Sequence, residues 1–235
     1  MRAFSNLLTN LILTSSRNRK ISLLVEYFSS TPDPDRGYAL AALTGSLKVK
    51  NIKAAFFKEL VREKQDEYLF ALSYDYVGDL AETVSLLWDK KNDGDVPSLS
   101  TLIETLTKFK SEELKRNVID ILDNSNADQR WAFIKLFTGG LRIGVSSRLV
   151  KQALSEYGNV DLNEIEKIWH GLALPYINLF SWLEKRDKKP KISSYDIFHP
   201  MMLAHPLIVE KDLTTANPKN FIAEYKWDGI RIQIV

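Results

Sequence analysis

A 3.6-residue rhythm of apolar side chains, sustained from about residue 2 to about residue 186, constrains this chain more than any other feature of its sequence. Phe4, Leu7, Leu8, Leu11 and Ile12 fall at i, i+3, i+4, i+7 and i+8, one face of an amphipathic helix. A second helix is expected over about 17–28, and the turn Thr31-Pro32-Asp33-Pro34-Asp35 launches a third that carries Tyr38 to Leu43 and closes at Gly45. Further helices are expected at about 51–64, 66–73, 78–90, 100–110, 112–123 and 127–138. Asn126 with Gln129 is a capping-box signature for the last of these, and Asp161 with Glu164 offers another before Leu162 to Trp169. Pro175 opens a final helix carrying Phe180, Trp182 and Leu183.

The length of 235 residues allows one large or two modest domains, and 45% hydrophobic with 26% charged residues is ordinary for a globular protein. No apolar run approaches the roughly 18 residues of a membrane span. Met1 to Leu13 is interrupted by Asn6, Thr9 and Asn10 with no small-residue cleavage site after it, so it reads as a helix and not a signal peptide. The absence of cysteine excludes disulfides and thiolate metal sites and fits an intracellular location. His170, His199 and His205 are too widely spaced to suggest a zinc site.

A net charge of +2 says little, but its distribution says more. No acid precedes Glu26, where Arg2, Arg17, Arg19 and Lys20 occur; none lies between Asp128 and Glu156, where Arg130, Lys135, Arg142, Arg148 and Lys151 occur. Segregated basic stretches are the footprint of a phosphate-binding face, the alternative being chance clustering on solvated helices. Within the second stretch, Thr138 to Ser146 packs three glycines, Gly139, Gly140 and Gly144, around Arg142 before Ser146 opens a helix through Lys151. Free backbone N–H groups at such a helix start bind phosphate well. Gly140, Arg142, Gly144, Ser146, Arg148 and Lys151 are therefore candidate phosphate contacts, although a glycine C-cap joining two helices is present on either reading. Asp75 to Glu82, with Gly78-Asp79-Leu80 at its centre, reads as packing and helix capping.

Lys185 to Lys191 is a charged run with a proline, expected as a solvated linker and domain boundary. This divides the chain into a helical domain at 1–186, a basic linker at 187–199 and a further segment at 200–235. In that segment Asp228-Gly229 marks a tight hairpin between two short β-prone runs. Glu224 and Lys226 share one strand face, with Arg231 on the returning strand. A surface hairpin with a cross-strand charge cluster has the same pattern. A nucleophilic lysine must instead lose its proton, which takes burial or a neighbouring cation.

Glu224 to Arg231 reads E-x-K-x-D-G-x-R and resembles the nucleotidyl-lysine motif of the ATP-dependent DNA ligase and mRNA-capping superfamily. Phe137 to Gly144 resembles the ligase helical-domain signature L-T-G-x-L-R-x-G, with Phe137 in the leucine position. Gly78-Asp79-Leu80 resembles its G-D-L element, and Pro200-Met201-Met202-Leu203-Ala204 resembles the P-M-L-A opener of the nucleotidyltransferase domain. In order and spacing these landmarks cover essentially the whole chain, which resembles the ATP-dependent DNA ligases; the helical domain sets it apart from capping enzymes and minimal ligases.

The resemblance implies a mainly α fold: a multi-helical DNA-binding domain followed by the truncated first strands of an α+β nucleotidyltransferase (adenylation) domain. It implies an enzyme that seals nicks in duplex DNA through a lysyl-AMP intermediate on Lys226, with Glu224 reading adenine and Arg231 contacting ribose and phosphate. ATP and Mg²⁺ would be the cofactors, ATP being favoured over NAD by the helical signature. The partner would be nicked duplex DNA, met by an intracellular, cytoplasmic, bacterial-type monomer without a membrane, in replication, repair or recombination. The metal ligands and later motifs would lie beyond Val235, so these residues alone are expected to grip DNA and to form no AMP adduct. A non-catalytic helical DNA-binding module is the alternative.

Overall fold

The computed structural model describes residues 1–49, 52–89, 91, 95–109, 111–139, 141–193 and 207–222, with Glu224, Tyr225, Trp227 and Gly229 beyond them. Among the described residues all regular structure is helical. Helix α1 (Arg2–Leu13) buries Phe4, Leu7, Leu8 and Leu11. Ile12, the fifth member of the expected stripe, is 48% exposed; at 100° per residue it stands about 80° round the helix from Phe4, at the stripe's edge. Helix α2 (Arg17–Ser30) is capped by Ser16, whose hydroxyl accepts from the Arg19 N–H. Helix α3 (Asp35–Thr44) ends at Gly45 in the left-handed conformation, as its sequence indicates.

The chain continues through α4 (Ala54–Arg62), α5 (Glu67–Val77), α6 (Leu80–Leu87), α7 (Leu99–Lys108), α8 (Ser111–Asn124) and α9 (Ala127–Thr138). The Asn126–Gln129 capping box on α9 is formed in both directions. Then come α10 (Ser147–Gly158), α11 (Leu162–Ile168) and α12 (Ile177–Leu183). At α11 the expected box is not formed. Asp161 accepts from the Asn163 N–H at 2.6 Å, while Glu164 is drawn outward to Lys167 and Lys189.

Helix α1 packs against both α2 and α9, and so joins two groups: α2 with α10, which also meets α3, α11 and α12, and α9 with α6 and α4. One continuous core results, running from Phe4 and Phe28 through Phe57 and Phe133 to Phe180. Arg36 of α3 clamps one side of it. Its guanidinium donates to Asp33 at 2.8 Å and to Glu184, lies 3.1 Å from the Tyr157 hydroxyl and sits 4.2 Å above the Phe180 ring. The bond from Arg36 pulls the Glu184 carboxyl down to about 2.

The start of the charged run expected as a solvated linker rests on this helical body. Arg186 pairs with Glu184, Lys189 with Glu164, and Ile192 packs against the core. Beyond it a short helix, α13 (Val209–Thr215), leaves Leu207, Ile208, Val209 and Leu213 exposed. The P-M-L-A segment lies outside the described residues, as do Lys226, Asp228 and Arg231 of the expected hairpin. Among the described residues no helix is long and apolar enough to cross a membrane.

Candidate nucleic-acid interface

Gly139 to Ser146 connects α9 to α10 through a series of left-handed residues: Gly139 at φ +85°, Arg142 at +48° and Gly144 at +65°. For the arginine this conformation costs about 1–3 kcal/mol and persists only where its surroundings over-determine it. Here they do. Ile143 is buried in the core, and Lys20 of α2 donates from Nζ to the Ile143 carbonyl at 3.3 Å and the Gly144 carbonyl at 2.9 Å. A Cβ on Gly144 would stand 2.6 Å from that nitrogen, so the position excludes side chains by contact as well as by backbone angle. The loop is thus pinned from beneath, and the Arg142 side chain faces solvent.

Two helix starts meet beside it. Ser146 caps α10 by accepting from the Leu149 N–H at 3.2 Å, and Ser16 caps α2. Neither helix has an acid in its first turn. Between them runs a groove of about 480 Å³ lined by Ser15, Arg17, Lys20, Arg142, Gly144 and Ser146, among others. Arg17 is steadied by a bond from its guanidinium to the Gln152 side chain on α10. Two positive helix ends and three cations therefore face one concavity, an arrangement that attracts anions.

Of the residues anticipated from sequence, Arg142, Gly144 and Ser146 come together in this groove, and Arg148 is exposed on the first turn of α10. Lys151 goes elsewhere: it is buried, 2.7 Å from a Glu166 carboxylate oxygen and 4.7 Å from the Trp169 ring centroid. Gly140 lies outside the described residues. The rest of that acid-free stretch also turns inward. Arg130 donates to the carbonyls of Leu122, Ser85 and Trp88 at the ends of α8 and α6, and Lys135 pairs with Asp79. Helix α9 is covered on most sides, so its cations find partners in the interior. Arg17 and Lys20 were not singled out by motif; the signal that marks them is the acid-free run before Glu26. Glu224 is exposed; Lys226 and Arg231 lie outside the described residues. No group of acids and histidines able to hold a metal ion occurs among the described residues.

The family described as "DNA ligase N terminus" matches residues 1–155, a span that holds both helix starts and the loop between α9 and α10. The chain belongs to this DNA ligase family. A protein named "Probable DNA ligase" from Koribacter versatilis (strain Ellin345) is 24% identical over 240 residues, covering 94% of this chain. The chain spans 40% of that relative's length. The groove is thus a feature of the ligase N-terminal region.

Proposed function

We propose that this chain is the DNA-gripping N-terminal part of an ATP-dependent DNA ligase that seals nicks in duplex DNA, acting as an intracellular monomer. The observation that carries this reading is the groove at the paired starts of α2 and α10, with Arg142 held outward above it. Arg17, Arg142 and Arg148 would meet phosphates, and the backbone at Gly144 and Ser146 would approach the strand closely. Such contacts position a duplex without reading its sequence. Lys226 is in this reading the lysine that takes the adenylate, with Glu224 and Arg231 beside the nucleotide. ATP with Mg²⁺ supplies the adenylate when bound.

Titration of a labelled nicked duplex at several salt concentrations, with a second unrelated sequence alongside, tests the proposal. If roughly four to six phosphates are neutralised, log K falls against log salt by about 0.9 per phosphate, equally for both sequences. Arg142→Ala is expected to weaken binding about tenfold, the scale of one charge-assisted contact, without lowering the melting temperature. Arg62→Ala, which breaks only an exposed pair with Glu67 on α5, leaves affinity unchanged. A flat salt response, or strong preference for one sequence, overturns the reading.

A further inference from the structure

The buried cations of this protein divide by what answers their charge. Arg36 meets Asp33 and Glu184, Lys135 meets Asp79 and Lys151 meets Glu166. Arg130 has no carboxylate in contact, but its guanidinium gathers carbonyls at the C-terminal ends of α6 and α8, where the helix dipoles are negative. Lys20 has neither. It is 9% exposed, its bonds run to the two loop carbonyls of Ile143 and Gly144, and no carboxylate among the described residues pairs with it. It stands near the start of its own helix and against the start of α10, both positive ends, with Arg17 and Arg142 on the same groove. A cation so enclosed among other positive features is unfavourable in the free protein.

From this we infer that Lys20 is the buried cation of a phosphate-binding subsite in the groove, and that a bound phosphate is its counter-ion. An ammonium has three donors. Two hold the loop, and the side chain lines the groove, so a phosphate oxygen there would take the third while the N–H groups at the start of α10 and the guanidinium of Arg142 take the others. Lys20 then does two things at once: it fixes the loop that displays Arg142, and it supplies charge that only an external anion neutralises. The inference rests on the ligase reading for the source of that phosphate, a duplex strand, but the subsite itself is testable with inorganic phosphate.

Two variants separate the roles. Lys20→Gln removes the charge and keeps an N–H₂ that can donate to the loop carbonyls; Lys20→Met removes both. Melting temperatures are measured in inorganic phosphate and in sodium chloride of equal ionic strength, so that general salt effects on burial act on every protein alike. The wild type is expected to melt higher in phosphate than in chloride, and both variants to lose that difference. In the nicked-duplex titration Lys20→Gln is expected to bind about tenfold more weakly, with a salt slope smaller by about 0.9, the share of one phosphate.

A Lys20→Gln protein that keeps both the phosphate response and the full salt slope overturns the subsite. So does a loss of binding that merely follows a loss of helix by circular dichroism, since Lys20 would then be a strut and nothing more. If the wild type binds duplex and Arg142→Ala weakens it while Lys20→Gln does not, the subsite falls and the ligase reading stands. If duplex binding is absent but the phosphate response depends on Lys20, the reverse holds.

Discussion

Helices α6 and α10 begin alike: each follows closely on a left-handed glycine, Gly78 at φ +73° and Gly144 at φ +65°, and each takes a side-chain cap. In each a lysine from another helix reaches the turn, Lys135 at α6 and Lys20 at α10. They differ in the sign of what completes them. The α6 cap is Asp79, which accepts from the Glu82 N–H at 3.0 Å and pairs with Lys135, and Glu82 adds a second acid in the first turn. Burial pushes the Asp79 carboxyl up, but the bonds from Lys135 and the Glu82 N–H outweigh it and hold the group below its ordinary value. The α10 cap is the neutral Ser146, no acid follows, and Lys20 meets carbonyls alone. One positive helix end is neutralised inside the chain, and the other is left for an anion from outside. A helix start alone therefore does not mark a binding site; the carboxylate missing beside it does.

The contrast can be broken from either side. Asp79→Ala removes a cap and leaves Lys135 enclosed without its partner, for which a loss of about 2–3 kcal/mol is expected. Urea denaturation measures it, and duplex affinity should not change; an unmoved midpoint would show that the α6 start does not depend on its internal acid. Ser146→Asp gives α10 the carboxylate that α6 has. The new acid suits the helix dipole, so stability should hold or rise by about 0.3–1 kcal/mol, while duplex affinity falls about tenfold as the carboxylate takes the place of phosphate. Undiminished affinity would mean that the strand does not approach this helix start.

Acid sharpens the same contrast with the smallest effect. Because the folded Asp79 carboxyl titrates below its ordinary 3.8, its contribution is fully present above that value and is lost as pH falls through the lower folded value. The difference in unfolding free energy between wild type and Asp79→Asn should therefore shrink below pH 3.8, by under about 1 kcal/mol. A difference that stays constant down to acid-induced unfolding would assign the effect of Asp79 to geometry and not to charge.

What could be read in the sequence was local. The helix-ending glycine at Gly45, the capping box at Asn126 and the cap at Ser146 each depend on residues a few positions apart, and each is present. The apolar face of α1 was legible for the same reason, apart from its edge at Ile12. The fate of the cations was not. Arg130 and Lys135 lie on a helix whose apolar residues spread round most of its circumference, so no face was marked for solvent, and Lys151 turns inward to an acid on the following helix. Lys20 shares the acid-free N-terminal run that pointed to phosphate, but its hold on the loop spans 123 residues of sequence, a contact that no spacing rule reaches. At Asp161 a local signature was present and a tertiary competitor won: Glu164 could not fold back onto the cap while Lys167 and Lys189 held its carboxylate.

The docking of the stretch from Arg186 to Ile192 also bears on tether length. A free flexible segment of that size would let its far end wander over about 15 Å, taking roughly 5–6 Å times the square root of the residue number. Held by Glu184, Glu164 and the core contact of Ile192, it adds almost nothing to that range. The chain after it therefore departs from a fixed point on the helical body. Its local concentration at a duplex held by that body is set by the residues after Ile192 alone, and rises as the tether shortens toward the distance it has to span.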